Sequence, residues 1–402
     1  MKRRQFFMGS ALALASTASP LFLRKLADAS PQQKAARLPI MPTCPTDGEA
    51  IKLINAQMSR IAGVHACTRP FRHAGPRIEA ELLGSKLVVH NYGHGGSGWS
   101  LSWGSSMQAL RMAQAATPGL RTLGVIGCGP LGLTSALLAQ HAGLSVRIYA
   151  KALPPNVSSM GATGLWSPDS RFCDLQHEAD WAARWNEMAR TSFDKYQQTA
   201  GLPGRLVEWF NGYKLSDTPF PVKDLYGSPP QTKDEDEPEY ARFANDFLPP
   251  QIDLLPGGHP FPTRYARCWT SLMFNITPYA SKLVADFLAA GGKVDIRAFN
   301  HPNELLTLPE CTFINATGYG AKALFNDETV IPVRGQTVRL MPQPEVIHGL
   351  RAEQFLVMPR RDGLIVQNMD ETGNFNNSND APDLVEAKAI LEQAATFIAR
   401  IG

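Results

Sequence analysis

The pattern of hydrophobic and polar positions separates strands from helices along most of the chain. Residues 123–126 form a short continuous apolar run, the length of a buried strand. Leu133, Ala136, Leu137 and His141 then recur at helical spacing, Gly143 stops the helix, and residues 145–149 return to a strand pattern. Upstream, residues 86–91 read as a strand and 105–116 as a helix. Downstream, the pattern predicts helices over 181–196, 277–290 and 383–399. It predicts strands over 294–298, from 313 toward the loop at Gly318, and over 355–359, the last turning at Arg360-Arg361-Asp362-Gly363. Residues 216–250, which include the run KDEDEPE, carry no apolar period and read as an exposed loop. Strands alternating with helices predict an α/β fold.

Composition narrows the function classes. The chain has 402 residues, 44% hydrophobic and 19% charged, enough for two domains with a core. The net charge of +3 is spread without a basic stripe, which argues against a nucleic-acid partner. None of the six cysteines forms a CxxC pair, so no structural zinc or other metal site is expected. An even count in an exported protein permits disulfides without the spacing saying which, but in a chain this long the cysteines read first as free or buried thiols.

The N-terminus reads as an address. Arg3-Arg4 and Phe6-Phe7 precede a modestly apolar run, and Ala27-Asp28-Ala29 offers a cleavage site. This predicts a twin-arginine signal over 1–29 and a periplasmic protein that folds with its cofactor before export; a plain secretory signal or an uncleaved anchor are the alternatives. Gly, Ser, Thr and Pro in the run make it a poor membrane span.

The strongest local motif is G-x-G-x-x-G at Gly127, Gly129 and Gly132, with Pro130 and Leu131 opening the helix. It lies between a strand and a helix, as a dinucleotide fold requires. The helix N-terminus offers amide donors and positive potential to a pyrophosphate. An acid that would hold the ribose is replaced by Lys151. Lysine cannot accept the ribose hydroxyl hydrogen bonds but can meet a phosphate, so NADP is a candidate dinucleotide at this point.

The next segment, with Ser158, Ser159, Thr163, Gly164, Leu165, Trp166 and Pro168, resembles the stretch after the second strand in D-amino-acid oxidases. The same family carries G-x-R-P-x-R and H-N-Y-G-H-G-G-x-G near its C-terminus. Here Cys67-Thr68-Arg69-Pro70-Phe71-Arg72 and the run from His90 through Gly98 precede the βαβ unit. The chain therefore resembles that family with its segments circularly permuted. Asn315-Ala316-Thr317-Gly318 and Arg334-Gly335-Gln336 are similar to two further family motifs. The resemblance implies a Rossmann-like FAD-binding domain with a second mixed α+β substrate domain.

On that basis the chain divides into a signal (1–29), a lead segment (30–62) and an FAD-binding domain (63–205, with 63–120 the permuted piece and 121–205 the βαβ part). Substrate-domain segments follow at 206–310 and 336–370, separated by a return to the FAD domain at 311–335; 371–402 is the C-terminal helix. FAD would be held by Gly127, Gly129, Pro130, Leu131, Gly132, Lys151, Ser158, Ser159, Thr163, Gly164, Leu165, Thr317 and Gly318. The loop Gly95, Gly96, Ser97, Gly98, Trp99 and Ser100 would complete that site.

The resemblance also implies that Arg69 grips a substrate carboxylate in a bidentate fork and that the Gly96 carbonyl accepts from the substrate amine. A structural ion pair is the competing role for Arg69. His90 and His94 are assigned to packing and loop hydrogen bonds. The implied activity is oxidative deamination of an amino acid, with a small molecule carrying amine and carboxylate as partner. The alternatives are a dehydrogenase passing electrons to a quinone or carrier, a non-catalytic flavin-binding protein, and an NADP enzyme. Leu356 stands where the family has a tyrosine, and Gln367-Asn368 replaces a Gly-Gly pair.

Overall fold

The computed structural model describes residues 44, 51–221, 237–238, 240, 246–370 and 372–401. The expected signal peptide and most of the KDEDEPE run lie outside them. In chain order the strands are β1 (Ile61–Phe71), β2 (Ala80–Leu83), β3 (Lys86–His90), β4 (Thr122–Ile126), β5 (Ser145–Ala150), β6 (Val207–Ser216) and β7 (Ile252–Leu254). They continue as β8 (Tyr265–Phe274), β9 (Lys293–Ile296), β10 (Thr312–Asn315), β11 (Ile331–Leu340), β12 (His348–Arg351), β13 (Phe355–Met358) and β14 (Ile365–Asn368). The helices are α1 (Ser102–Ala116), α2 (Pro130–His141), α3 (Glu178–Thr199), α4 (Ile276–Ala289), α5 (Ala321–Leu324) and α6 (Leu384–Ile398).

Among the described residues the strands form two sheets. A six-stranded sheet runs β2-β3-β10-β4-β5-β9, parallel except at its β2 edge. β4 and β10 are apolar almost throughout because both faces of a parallel sheet are covered. One face buries Val125, Ile148 and Ile314 with Leu133 and Leu137 of α2; the other buries Ile126, Tyr149 and Phe313 with Leu305 and Leu308. Gly143, at φ +84°, takes the left-handed conformation that ends α2. Asp383, expected as the first residue of the last helix, is instead its N-cap and accepts from the Val385 and Glu386 amides.

The second sheet has eight strands in the order β1-β11-β14-β13-β12-β6-β8-β7. Residues paired across a ladder project to one face. The pairings His65↔Thr337, Thr337↔Gln367, Gln367↔Leu356, Leu356↔Arg351, Arg351↔Lys214 and Lys214↔Arg267 therefore define one lateral row. Arg69, four residues beyond His65 on β1, shares that face.

Three expectations change. β1 was grouped with the FAD-binding domain, but its hydrogen bonds run to β11 from Ile61↔Leu340 to Phe71↔Ile331, at the end of the eight-stranded sheet. Conversely α4 and β9, expected in the substrate domain, belong to the nucleotide half, since β9 pairs with β5. The cysteines are not all free: Cys44 and Cys268 form a disulfide with Cα atoms 6.0 Å apart, leaving Cys67, Cys128, Cys173 and Cys311 as thiols. No spacing singles out this pair, because the two residues, 224 positions apart, meet only through the folding of β8. Among the described residues, no helix is long and apolar enough to cross a membrane.

Candidate functional site

The glycine turn is built for close approach. Gly127 has φ +105°, and a β-carbon there would lie 2.5 Å from the Ala316 carbonyl oxygen and 3.4 Å from Thr317 Cα. Gly129 is the N-cap of α2, with Pro130 at its first position. A β-carbon at Gly132 would lie 2.8 Å from the Gly127 carbonyl carbon and would overlap its oxygen. Gly129, in turn, faces Ser159: a β-carbon at 129 would stand 3.6 Å from Ser159 Oγ. That hydroxyl is buried with no hydrogen-bond partner among the described residues, as expected of a group that meets a ligand. These features fit a dinucleotide pyrophosphate at the α2 N-terminus. Ser158 opens the single 3-10 turn that holds Ser159, and Thr317 and Gly318 follow β10 beside Gly127. Lys151 is exposed just past β5.

Trp99 links this region to a second one. Its Nε1 donates to the Ser159 carbonyl at 2.9 Å. Trp99 also lines a cavity of about 50 Å³ together with Arg69, Gly96, Ser100, Thr163, Gly164 and Leu165. Pieces from both sides of the glycine turn thus converge on one space. Ser100 Oγ accepts from the Ser167 amide at 2.8 Å, tying the two loops together. Gly164, at φ +90°, packs against the Phe274 carbonyl, and Leu165 bridges to Met273.

Arg69 enters from β1. Among the described residues its hydrogen bond is from Nη1 to the Arg334 carbonyl at 3.0 Å, and no carboxylate lies within ion-pair distance. The competing structural ion pair is therefore not formed. Surrounding protein lowers the guanidinium's pKa, an effect opposed by the charges of Cys67 and Glu237. Its side chain can reach the cavity because Gly335, paired with Cys67 in the β1–β11 ladder, leaves room for the guanidinium.

Of the remaining loop, Gly95 and Gly96 press against Arg171 and Ser170, and Gly96 N–H donates to the Ser170 carbonyl at 3.0 Å. Ser97 Oγ donates to the His94 carbonyl at 2.7 Å, and Gly98 borders open space. His94 Nε2 contacts Ser105 Oγ at 2.7 Å; Ser105 itself donates to Asn91 Oδ1, so the imidazole donates and its Nδ1 is bare. His90 contacts Glu81 and Asn315. Both histidines serve the loop's structure.

Sequence reasoning did not single out Ser167, Ser170, Arg171, Phe274 or Thr337, which also line the cavity. Gln367 was noted only as a departure and lines it as well. Leu356 does not; it packs among Phe210, Trp269 and Met358.

The family described as DAO, FAD dependent oxidoreductase, matches residues 123–401, more than half of the chain. The chain is 25% identical over 283 residues to a D-amino-acid oxidase of Dictyostelium discoideum, covering 69% of this chain and 73% of that protein. It is 28% identical over 282 residues to a D-amino-acid oxidase of Streptomyces coelicolor, covering 68% and 76%. The structure of glycine oxidase from Geobacillus kaustophilus aligns with 70% of this chain and 79% of its own at 14% identity and a TM-score of 0.49. From the family match and the glycine cradle that fits its cofactor, the chain belongs to the DAO family of FAD dependent oxidoreductases.

Proposed function

We propose that this enzyme oxidatively deaminates a free amino acid, and by its relatives' activity a D-amino acid, to the keto acid and ammonia with peroxide as the second product. The observation that carries the reading is the convergence of Arg69 and Gly96 on one cavity with Thr163, Gly164 and Leu165.

FAD, when bound, would supply the two-electron acceptor for a hydride leaving the substrate Cα, with oxygen as the final oxidant. Gly127, Gly129, Gly132 and Ser159 would hold its pyrophosphate, and Thr163 to Leu165 with Gly96, Trp99 and Ser100 would border its ring. The chain's own part is orientation. Arg69 binds the carboxylate through two parallel charge-assisted hydrogen bonds. The Gly96 carbonyl accepts from the amine, and the two contacts fix which Cα bond faces the cofactor. Trp99, Leu165 and Phe274 exclude water from that space. No side chain is needed as a general base in this scheme.

We further propose that the order of segments is a circular permutation. The family match begins at 123, while β1 and β3, both upstream, complete the two sheets, and α1, also upstream, packs on α2. Close chain ends in the ancestral fold make such a rearrangement tolerable. Arg3-Arg4 and the Cys44–Cys268 disulfide support a periplasmic destination, where disulfides persist.

The test is anaerobic mixing of the yellow holoprotein with D- and L-amino-acid panels. Bleaching by D-amino acids, and peroxide on admitting air, are expected. A flavin that stays oxidised with every amino acid would end the reading.

A further inference from the structure

A buried cation without an answering charge stands on the Arg69 face of the eight-stranded sheet. Arg351, the last residue of β12, is only 8% exposed. Among the described residues its Nη1 has no hydrogen-bond partner. Burial lowers its pKa to about 10, and no neighbouring acid opposes the effect. Arg267, in the same lateral row, shows the usual arrangement: Asp253 Oδ2 accepts from its Nη2 at 3.0 Å. A buried charge left without a partner destabilises the fold that contains it, so one that persists calls for a ligand.

A second donor lies beside it. Trp269 Nε1 is also buried with no partner among the described residues. The indole lies against Gly212, where a β-carbon would overlap the ring. Gly212 pairs with Gly349 of β12, two residues before Arg351 and on the same face. Indole N–H and guanidinium only donate, so a group that satisfies both is an acceptor, and next to a full positive charge it is an anion.

The sheet leads from the cavity to this pair. Thr337 and Gln367 line the cavity, and their row continues through Leu356 to Arg351. Arg351 stands two strands beyond Gln367, about 10 Å away, which an arginine and a substrate side chain reaching toward each other can span. The ground between is apolar: Leu165, which lines the cavity, clusters with Phe210, Trp269 and Leu356. Methylenes would rest there, with a cation at the far end. Resting on the amino-acid oxidase reading, we propose that Arg351, with the Trp269 N–H, binds a carboxylate at the end of the substrate's side chain. Arg69 then takes the α-carboxylate, and acidic amino acids are preferred to neutral ones of the same length.

The experiment compares each acid with its own amide, which has nearly the same shape without the charge. Steady-state kinetics of the holoenzyme on D-glutamate against D-glutamine, and D-aspartate against D-asparagine, should give kcat/KM about tenfold higher or more for an acid. Arg351→Met keeps an unbranched stem and removes the charge; it should abolish most of that preference while still oxidising the amide. Two thermal readouts need no turnover. Because the charge is unanswered in the free enzyme, Arg351→Met should hold or raise the Tm of ligand-free holoenzyme, whereas loss of a structural contact would lower it. Glutarate should raise the wild-type Tm more than its monoamide does, and the two should act alike on Arg351→Met. Amides oxidised as fast as acids, an unchanged preference in the variant, a lowered Tm in the variant, or equal effects of glutarate and its monoamide on wild type overturns this proposal and leaves the oxidase reading in place. Absence of bleaching by any amino acid overturns both.

Discussion

Gly335 lies directly against the Arg69 guanidinium: a β-carbon at 335 would overlap its carbon and stand 2.7 Å from one Nη. The contact is with the far end of a flexible side chain, so Gly335→Ala should be cheap for folding and costly for placement. We expect that variant to retain FAD while losing about tenfold to a hundredfold in kcat/KM, the usual penalty for a displaced binding group. Arg69→Ala should lose more, about 3 kcal/mol of charged hydrogen bonding, or on the order of a hundredfold or above, mostly in KM. Steady-state kinetics with flavin content on the same preparations decides it; unchanged KM in both variants would remove Arg69 from the site.

Gly132→Ala tests the other end. Its new carbon would meet the Gly127 carbonyl, which is backbone and cannot swing aside. Overpacking of this kind costs roughly 1–3 kcal/mol. We expect protein that purifies colourless or nearly so, with added FAD raising its Tm less than it raises that of wild-type apoprotein. Full flavin occupancy would place the pyrophosphate elsewhere.

The nucleotide half and the Arg69–Gly96 pairing were legible because each is written in contiguous residues. The glycine spacing encodes a turn, and the motif around Gly96 encodes a loop. Thr337 and Gln367 were not, since they reach the cavity through ladder register, a property of partners more than a hundred residues away for β1 and β11. Arg171 was invisible for another reason: no local pattern announces an arginine held in a left-handed turn by a glycine far upstream. The same limit hid the placement of β1 and the choice of Cys44 and Cys268 among six cysteines.

The disulfide makes a countable prediction. Unreduced, denatured protein should titrate four thiols, Cys67, Cys128, Cys173 and Cys311, and six after reduction. Replacing Cys44 and Cys268 with serine should lower unfolding free energy by about 2–4 kcal/mol, measured in denaturant without reductant. Six thiols before reduction would refute the pairing.

His94 sets a pH dependence. Burial pushes its pKa down to about 3, and its bare Nδ1 has no acceptor waiting for a proton among the described residues. The unfolded chain's histidine protonates near 6.5, so between that pH and about 3 the unfolded state binds the extra proton. The contribution is complete above pH 6.5 and is lost as pH falls, at up to about 1.4 kcal/mol per unit. Denaturant midpoints from pH 7 to 4 should therefore decline, and His94→Asn should flatten the decline. An identical slope in the variant would show that other groups govern it.

The β1–β11 ladder has a consequence for biogenesis. β1 is synthesised well before β11, the strand that completes its hydrogen bonds, with Ile61 paired to Leu340 and Phe71 to Ile331. Contacts of such long sequence separation form slowly. Until then the nascent chain carries an unsatisfied β-edge, the kind of surface that recruits stray strands. Chains in which β11 is not yet made should accordingly depend on a holding chaperone, and the emergence of β11 becomes the event that permits folding.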